Sequence, residues 1–170
     1  MSAIVTIRIA TLKDVPVIHQ LAEDIWWPTY RSILSEEQIR FMLDTMYSAD
    51  ALTGQIREGI IFILAEYLDH AVAFAGYSKS ESDHTLLKIH KLYVQPEEHG
   101  KGIGKLLLQY IEQEAIKAGI QQLELNVNRQ NKAFDFYKRL GFEVFKEEDI
   151  PYYNYWMNDF ILRKQLIEKN

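Results

Sequence analysis

The chain has 170 residues, with Lys+Arg 19 against Asp+Glu 24, no cysteine and a formal net charge of -5. That length suits one domain with a real core, and 48% hydrophobic with 25% charged residues is the balance of a globular rather than a disordered chain. The missing cysteine excludes a disulfide framework, a thiolate metal site and a cysteine nucleophile. The acidic surplus argues against a nucleic-acid or anionic-membrane binder, which needs a basic face.

Met1 to Ala10 lacks a basic stretch followed by a long apolar core, so no signal peptide is read there. The longest nearly apolar run, Gly59 to Ala65, is too short to span a bilayer. The expectation is a soluble cytoplasmic protein, one domain over residues 1–170.

Val5 to Ile9 alternates apolar and polar residues, as a strand does. Thr11-Leu12-Lys13-Asp14 resembles a capping box with Asp for Glu, and Val15, Ile18, Leu21, Ala22 and Ile25 follow at helical spacing. Trp26-Trp27-Pro28-Thr29-Tyr30 reads as an aromatic-rich connection. Ser35-Glu36-Glu37-Gln38 then starts a second helix carrying Ile39, Met42, Leu43 and Met46.

Strands are predicted over Ile60 to Glu66 and Ala71 to Lys79, joined by a turn at Leu68-Asp69-His70. A third runs from about Thr85 to Val94, where Pro96 stops it. Gly102 to Ala118 is a helix with the stripe Ile103, Leu106, Leu107, Tyr110, Ile111 and Ala115, and Gly119 suits its C′ position. Leu123 to Val127 is a strand, Asn131 to Leu140 a helix, Phe142 to Phe145 a strand and Trp156 to Leu166 a last strand. The predicted order is β-α-α-β-β-β-α-β-α-β-β, with a right-handed parallel unit between Lys88 and Val127. Mixed strands and helices of this kind bury their faces as an α/β fold with a central sheet flanked on both faces.

The most informative stretch is His99-Gly100-Lys101-Gly102-Ile103-Gly104-Lys105, after a strand and at the start of a helix. Glycine lets the backbone turn sharply and approach a ligand. Free N–H groups at a helix start bind phosphate, and Lys101 and Lys105 can add positive charge. The nucleoside-triphosphate loop fails on His99 and Leu106, and the dinucleotide fingerprint fails on the G-x-G-x-G spacing. A turn of purely structural purpose is the remaining alternative.

The sequence resembles the GNAT superfamily of acetyl-coenzyme A-dependent N-acetyltransferases in two places. Leu92-Tyr93-Val94-Gln95-Pro96 followed by His99 to Leu107 looks like its strand, turn and [QR]-x-x-G-x-[GA] coenzyme loop, with His99 in the first place. Asn128 to Ala133, then Phe136-Tyr137-Lys138-Arg139-Leu140-Gly141-Phe142, looks like its A-x-x-F-Y-x-x-x-G-F helix and turn with the asparagines that precede it.

The resemblance implies a mixed, mostly antiparallel sheet of about seven strands and acetyl-CoA as co-substrate. It implies that Leu92 and Val94 pair with the pantetheine arm through their backbone. It further implies that His99, Gly100, Lys101, Gly102, Ile103, Gly104 and Lys105 hold the pyrophosphate, that Asn131 bonds the arm and that Tyr137 faces the sulfur. A phenol with pKa of about 10 can protonate a departing thiolate without ionising at neutral pH, and a backbone donor can hold an oxyanion. Asn131 also reads as a helix cap, Tyr137 as a core aromatic and Phe142 as core.

The acceptor amine must be neutral when it attacks, so a base is needed at pH 7. Some relatives carry a glutamate on this strand; Lys88 and His90 stand there instead, and His90 is the candidate base, with a packed sheet histidine as the alternative. Glu23 and Asp24 are further candidates. The resemblance implies that the first two helices and their connection bind the acceptor, which makes Trp27, Tyr30 and Arg31 pocket candidates, since aromatic faces attract cations, with a hydrophobic lid as the alternative; Tyr152 and Tyr153 would line one end. The N-terminal helices and the tail around Asp159-Phe160-Ile161-Leu162 resemble most the bacterial small-amine branch, which includes spermidine/spermine acetyltransferases.

The expected function is therefore acetyl transfer from acetyl-CoA to a primary amine by direct attack, with a polyamine favoured. The alternatives are a protein N-terminal or lysine acetyltransferase and a non-catalytic CoA-binding sensor. No nucleic acid or membrane partner is expected, and the oligomeric state stays open, a homodimer included. The five histidines, at 19, 70, 84, 90 and 99, form no ligand motif, so no metal is expected.

Overall fold

The computed structural model describes residues 4–166. Met1 to Ala3, within the segment read for a leader, and residues 167–170 lie outside it, so the 1–170 domain expectation reaches past the described residues at both ends.

Strand β1 (Thr6–Ile9) is followed by one 3₁₀ turn, Leu12–Asp14, and helix α1 (Val15–Tyr30). The capping box forms as expected. The Thr11 hydroxyl accepts from the Lys13 N–H at 3.2 Å, and Asp14 Oδ2 accepts from the Thr11 N–H at 2.8 Å. All five apolar positions read in the first helix are buried. The helix continues through Trp26-Trp27-Pro28-Thr29-Tyr30, which corrects the predicted connection. A proline inside a helix forfeits one backbone bond; here burial of the Trp26 and Tyr30 rings outweighs that loss.

Helix α2 (Glu36–Tyr47) begins at its predicted cap, where Ser35 Oγ accepts from the Gln38 N–H at 3.1 Å. A further helix, α3 (Ala49–Arg57), was not read from the sequence. Ser48 caps it, with Oγ accepting from the Ala51 N–H at 3.2 Å, and Leu52 buries its one apolar anchor. One buried residue in nine leaves no periodic stripe to find.

Strands β2 (Ile61–Tyr67) and β3 (His70–Lys79) form the expected hairpin. Leu68 and Asp69 both take positive φ, 53° and 63°, the geometry of a type I′ turn. Strand β4 (Leu86–Val94), helix α4 (Ile103–Lys117), strand β5 (Gln122–Asn128), helix α5 (Ala133–Arg139), and strands β6 (Glu143–Tyr152) and β7 (Tyr155–Gln165) complete the chain. The β6–β7 ladder is longer than predicted because its turn sits at Tyr153, φ 54°.

The fold is mixed α/β, with seven strands in the order β1-β2-β3-β4-β5-β7-β6. The β1–β2, β2–β3, β5–β7 and β6–β7 pairs are antiparallel, and β4–β5 is parallel, with Lys88 opposite Glu124. The residues group into two compact units. One runs to Ser78 and takes in Lys91–Tyr110; the other takes in Lys79–His90 and continues from Ile111. The first buries Ile18, Ile25, Ile39, Leu43 and Leu52 together with Phe62 to Ala65 and Ala73 to Ala75; the second buries Leu123, Leu125, Phe142 and Leu162. No helix among the described residues is long and apolar enough to cross a membrane.

Candidate functional site

In the first unit, β4 ends at Val94 and the Gln95 N–H donates to the Val72 carbonyl at 2.9 Å, which fixes where the strand leaves the sheet. The His99 ring Nε2 donates to the Val94 carbonyl at 2.9 Å, so this side chain closes the turn on itself and stays exposed. Gly100 and Gly102 take φ of 83° and 78°, a region costly for residues with a Cβ. The Gly102 carbonyl accepts from the Leu106 N–H at 3.0 Å, which starts α4. The N–H groups of Ile103, Gly104 and Lys105 therefore open the helix with no carbonyl one turn back. A Cβ on Gly100 or Gly102 would meet no heavy atom within 4 Å. The loop has the form and open space of an anion cradle.

Lys101 does not offer a free charge there. Its Nζ pairs with Glu98 at 2.8 Å and lies 4.9 Å from the Tyr67 ring centre. The Glu98 hydrogen bond holds its pKa above the usual lysine value. Lys105 is exposed on the first turn of α4.

The acceptor candidates of this unit divide. Tyr30 is buried, and its hydroxyl shares a 2.8 Å hydrogen bond with that of Tyr93 on β4. It joins a cluster the sequence reading missed: Trp26 stands 4.5 Å from Tyr30, 5.5 Å from Tyr47 and 5.9 Å from Tyr93 by ring centres. Trp26 Nε1 is buried with no hydrogen-bond partner among the described residues. Trp27 is half-buried under the Arg40 guanidinium at 5.9 Å, and Arg31 is exposed. Glu23 is tied to Arg40, which holds its carboxyl below the usual range, and Asp24 accepts from Gln20 Nε2 at 2.9 Å.

Lys91 was also missed. Its Nζ donates to Gln55 Oε1 at 2.8 Å and lies 4.6 Å from the Tyr47 ring centre and 5.9 Å from that of Phe62. Burial lowers its pKa to about 8. A lysine between His90 and Leu92 in a strand carries no mark of burial, which comes from α2, α3 and β2.

In the second unit His90 is exposed. Lys88 pairs with Glu124 at 3.0 Å and bonds Asn126; Arg163 reaches Glu124 at 2.8 Å, and Asn126 Nδ2 donates to Asp159 at 3.2 Å. Burial opposes the charge on Glu124, yet Arg163 and Lys88 hold its pKa below the usual value. Burial dominates at Asp159 and raises its pKa. Asn131 Oδ1 accepts from the Ala133 N–H at 2.9 Å and so shapes the start of α5. Tyr137 is buried, edge-on to Phe136 at 5.3 Å and Phe142 at 5.6 Å, and its carbonyl accepts from the Phe142 N–H at 3.1 Å. Phe142 is core, 1% exposed. Tyr152 and Tyr153 stack edge-on at the end of β6, 5.0 Å apart. Among the described residues no group of three or more metal-ligating side chains is placed to hold an ion.

Comparison with known proteins bears on this arrangement. A family model for the acetyltransferase (GNAT) domain matches residues 31–151. A spermidine N(1)-acetyltransferase of Thermoplasma acidophilum is 31% identical over 166 residues, covering 95% of this chain and 97% of that protein. An uncharacterized N-acetyltransferase of Lactobacillus delbrueckii subsp. lactis is 26% identical, covering 91% and 94%. Among solved structures, a PaiA N-acetyltransferase from Thermoplasma acidophilum in complex with coenzyme A superposes with a TM-score of 0.82 at 30% identity, covering 95% of this chain and 99% of that one. The ribosomal-protein-S18-alanine N-acetyltransferase of Escherichia coli shares the fold, with a TM-score of 0.74 at 17% identity, covering 98% and 97%.

Proposed function

We propose, from the premise that the chain belongs to the GNAT acetyltransferase family and is an acetyl-CoA-dependent N-acetyltransferase, that its acceptor is a small primary amine of the polyamine class. The observation that carries this reading is the similarity to the spermidine N(1)-acetyltransferase, which runs through 95% of the chain and so includes α1, α2 and the β6–β7 ladder. The aromatic character of Trp27 and the Trp26–Tyr30–Tyr47–Tyr93 cluster suits an ammonium-bearing ligand.

The roles follow residue by residue. The opening of α4, from Gly100 to Lys105, holds the pyrophosphate with backbone N–H groups. His99 braces that loop through Val94. Leu92 and Val94 pair with the pantetheine arm, and a backbone N–H there holds the developing oxyanion. Asn131 orients the arm. Trp27 and Tyr30 shape the acceptor end, and a basic group on β4, where His90 and Lys91 stand, takes the ammonium proton. The neutral nitrogen attacks the acetyl carbonyl, the C–N bond forms, and the C–S bond breaks. Tyr137 donates a proton to the departing thiolate and recovers one from the new amide nitrogen. With no cysteine in the chain, no acyl-cysteine intermediate forms, which makes transfer by direct attack the simpler route.

Thiol release from acetyl-CoA, measured with spermidine, spermine, simple alkylamines and peptides with free N-termini, tests the reading. Polyamines are expected to give the highest kcat/KM. A peptide that outperforms every small amine would move the assignment to protein acetylation, and coenzyme binding without any release would make the chain a sensor.

A further inference from the structure

We infer that Lys91 is the base that deprotonates the acceptor, directly or through one water, and that it is the β4 side chain built for that task. The inference rests on acetyl transfer to an amine and not on which amine is used.

Three observations place Lys91 apart from the other lysines. First, its Nζ is fixed. Gln55 Nε2 donates to the Met46 carbonyl at 2.9 Å, which orients the amide so that Oε1 faces Lys91 and accepts from it at 2.8 Å. Second, Nζ is surrounded by rings rather than carboxylates, with Tyr47 from α2 and Phe62 from β2 at 4.6 and 5.9 Å. Third, it stands one residue before Leu92, in the strand segment assigned to the coenzyme arm.

Lysines at ordinary surface positions are paired or solvated, as Lys101 is with Glu98 and Lys117 with Glu114. Lys91 has no carboxylate partner among the described residues, and burial is the one cause of its lowered pKa, about 8. Among the described residues, Tyr47, Gln55 and Phe62 from other elements stand against Nζ, and of these Tyr47 can titrate; Lys88, His90 and Tyr93 belong to its own strand. An amine with a pKa near the working pH is neutral often enough to accept a proton and basic enough to hold it. Gln55 Oε1 can accept one N–H in either protonation state, so it does not occupy the lone pair of the neutral amine.

The steps balance. A proton passes from the acceptor ammonium to the Lys91 lone pair, and Lys91 later releases it to solvent. The acceptor nitrogen forms the C–N bond as the C–S bond breaks. Its second proton ends on the coenzyme thiol by way of Tyr137. The net products are the amide, free thiol and one proton.

The test uses the full chain and whichever amine, small or peptidic, the wild-type protein turns over. Wild-type kcat/KM is expected to rise with pH to a bend near 8. Lys91→Met should lower kcat/KM at least about 100-fold at pH 7, remove the bend and leave the coenzyme Kd in place. The deficit should vanish with a fluorinated alkylamine that is already neutral at pH 7. Lys91→Arg, which keeps the charge but cannot give up its proton, should stay as impaired as Lys91→Met.

A retained bend in Lys91→Met, rescue by Arg, an equal deficit with the neutral amine, or loss of the bend in His90→Gln instead would overturn the assignment. Should Lys91→Met fail to fold, the wild-type protein still decides. Acetic anhydride labelling read by peptide mass spectrometry over a pH series should show Lys91 titrating below the other lysines, and titration together with them would overturn the proposal. Turnover of peptides but no small amine would remove the polyamine reading alone.

Discussion

The Tyr30 and Tyr93 hydroxyls meet at 2.8 Å, tying the last residue of α1 to β4 between Leu92 and Val94. Removing either hydroxyl loses one hydrogen bond, worth about 0.5–1.5 kcal/mol. Tyr30→Phe and Tyr93→Phe should each lower the denaturant midpoint, and the double variant should cost less than their sum, because both break one bond. If Tyr30 shapes the acceptor end, Tyr30→Phe should also raise the KM for the amine more than that for acetyl-CoA. Additive stability losses and an unmoved amine KM would show the pair to be incidental.

Gly102 and Gly54 make opposite predictions from equally open surroundings, since neither would place a Cβ within 4 Å of another heavy atom. Gly102 holds φ at 78°, so a β-branched residue there must carry at least about 1–2 kcal/mol of backbone strain or rotate the loop away. Gly102→Val should weaken coenzyme binding at least about tenfold. Gly54 sits inside α3 with its carbonyl accepting from the Glu58 N–H at 2.9 Å. Gly54→Ala should stabilise the protein by about 0.5–1 kcal/mol, since glycine is a poor helix former. Isothermal titration with CoA and a thermal melt separate the two effects. A normal Kd in Gly102→Val would defeat the loop assignment.

Tyr137 can lose its hydroxyl while keeping its place, because its ring packs edge-on against Phe136 and Phe142. Tyr137→Phe should therefore hold the melting temperature within a few degrees. It should lower kcat by about 100-fold or more if the phenol protonates the thiolate, with the coenzyme Kd little changed. Unchanged turnover would leave Tyr137 a core aromatic and nothing more.

What could be read beforehand and what could not divide along a physical line. The caps at Thr11 and Ser35, the stripe from Val15 to Ile25 and the glycine turn at Gly100 and Gly102 are local devices, and the chain carries them in consecutive residues. Helix α3 escaped because it buries Leu52 alone. Trp26 to Tyr30 reads as a connection because the local pattern does not record what the rings gain on burial. Lys91 escaped for the same reason in reverse: its partners, Tyr47, Gln55 and Phe62, lie 29 or more positions away, so nothing near it in the chain records that its charge is withdrawn from water. The motifs marked the glycine turn that opens α4; the electrostatics around Lys91 are set by tertiary packing.

Asp14 offers the plainest pH test. Its carboxylate accepts from Arg8 at 2.9 and 3.0 Å and from the Thr11 N–H at 2.8 Å, and the residue is 8% exposed. The Arg8 hydrogen bonds, opposed by burial and aided by Thr11, hold its pKa below the usual 3.8. A carboxyl with a depressed folded pKa contributes stability that is present above its unfolded value and lost as pH falls through the folded one. The Asp14 share is thus complete at pH 7 and disappears below about pH 4. Arg8 is partly exposed, so solvent screens its pairing and limits what the ion pair contributes to stability. Asp14→Ala should cost about 1 kcal/mol at pH 7, and the gap to wild type should close as pH falls from 4 to 2. Urea unfolding at pH 7, 4 and 2.5 measures it. A gap independent of pH would assign the loss to packing at the start of α1 rather than to the carboxylate.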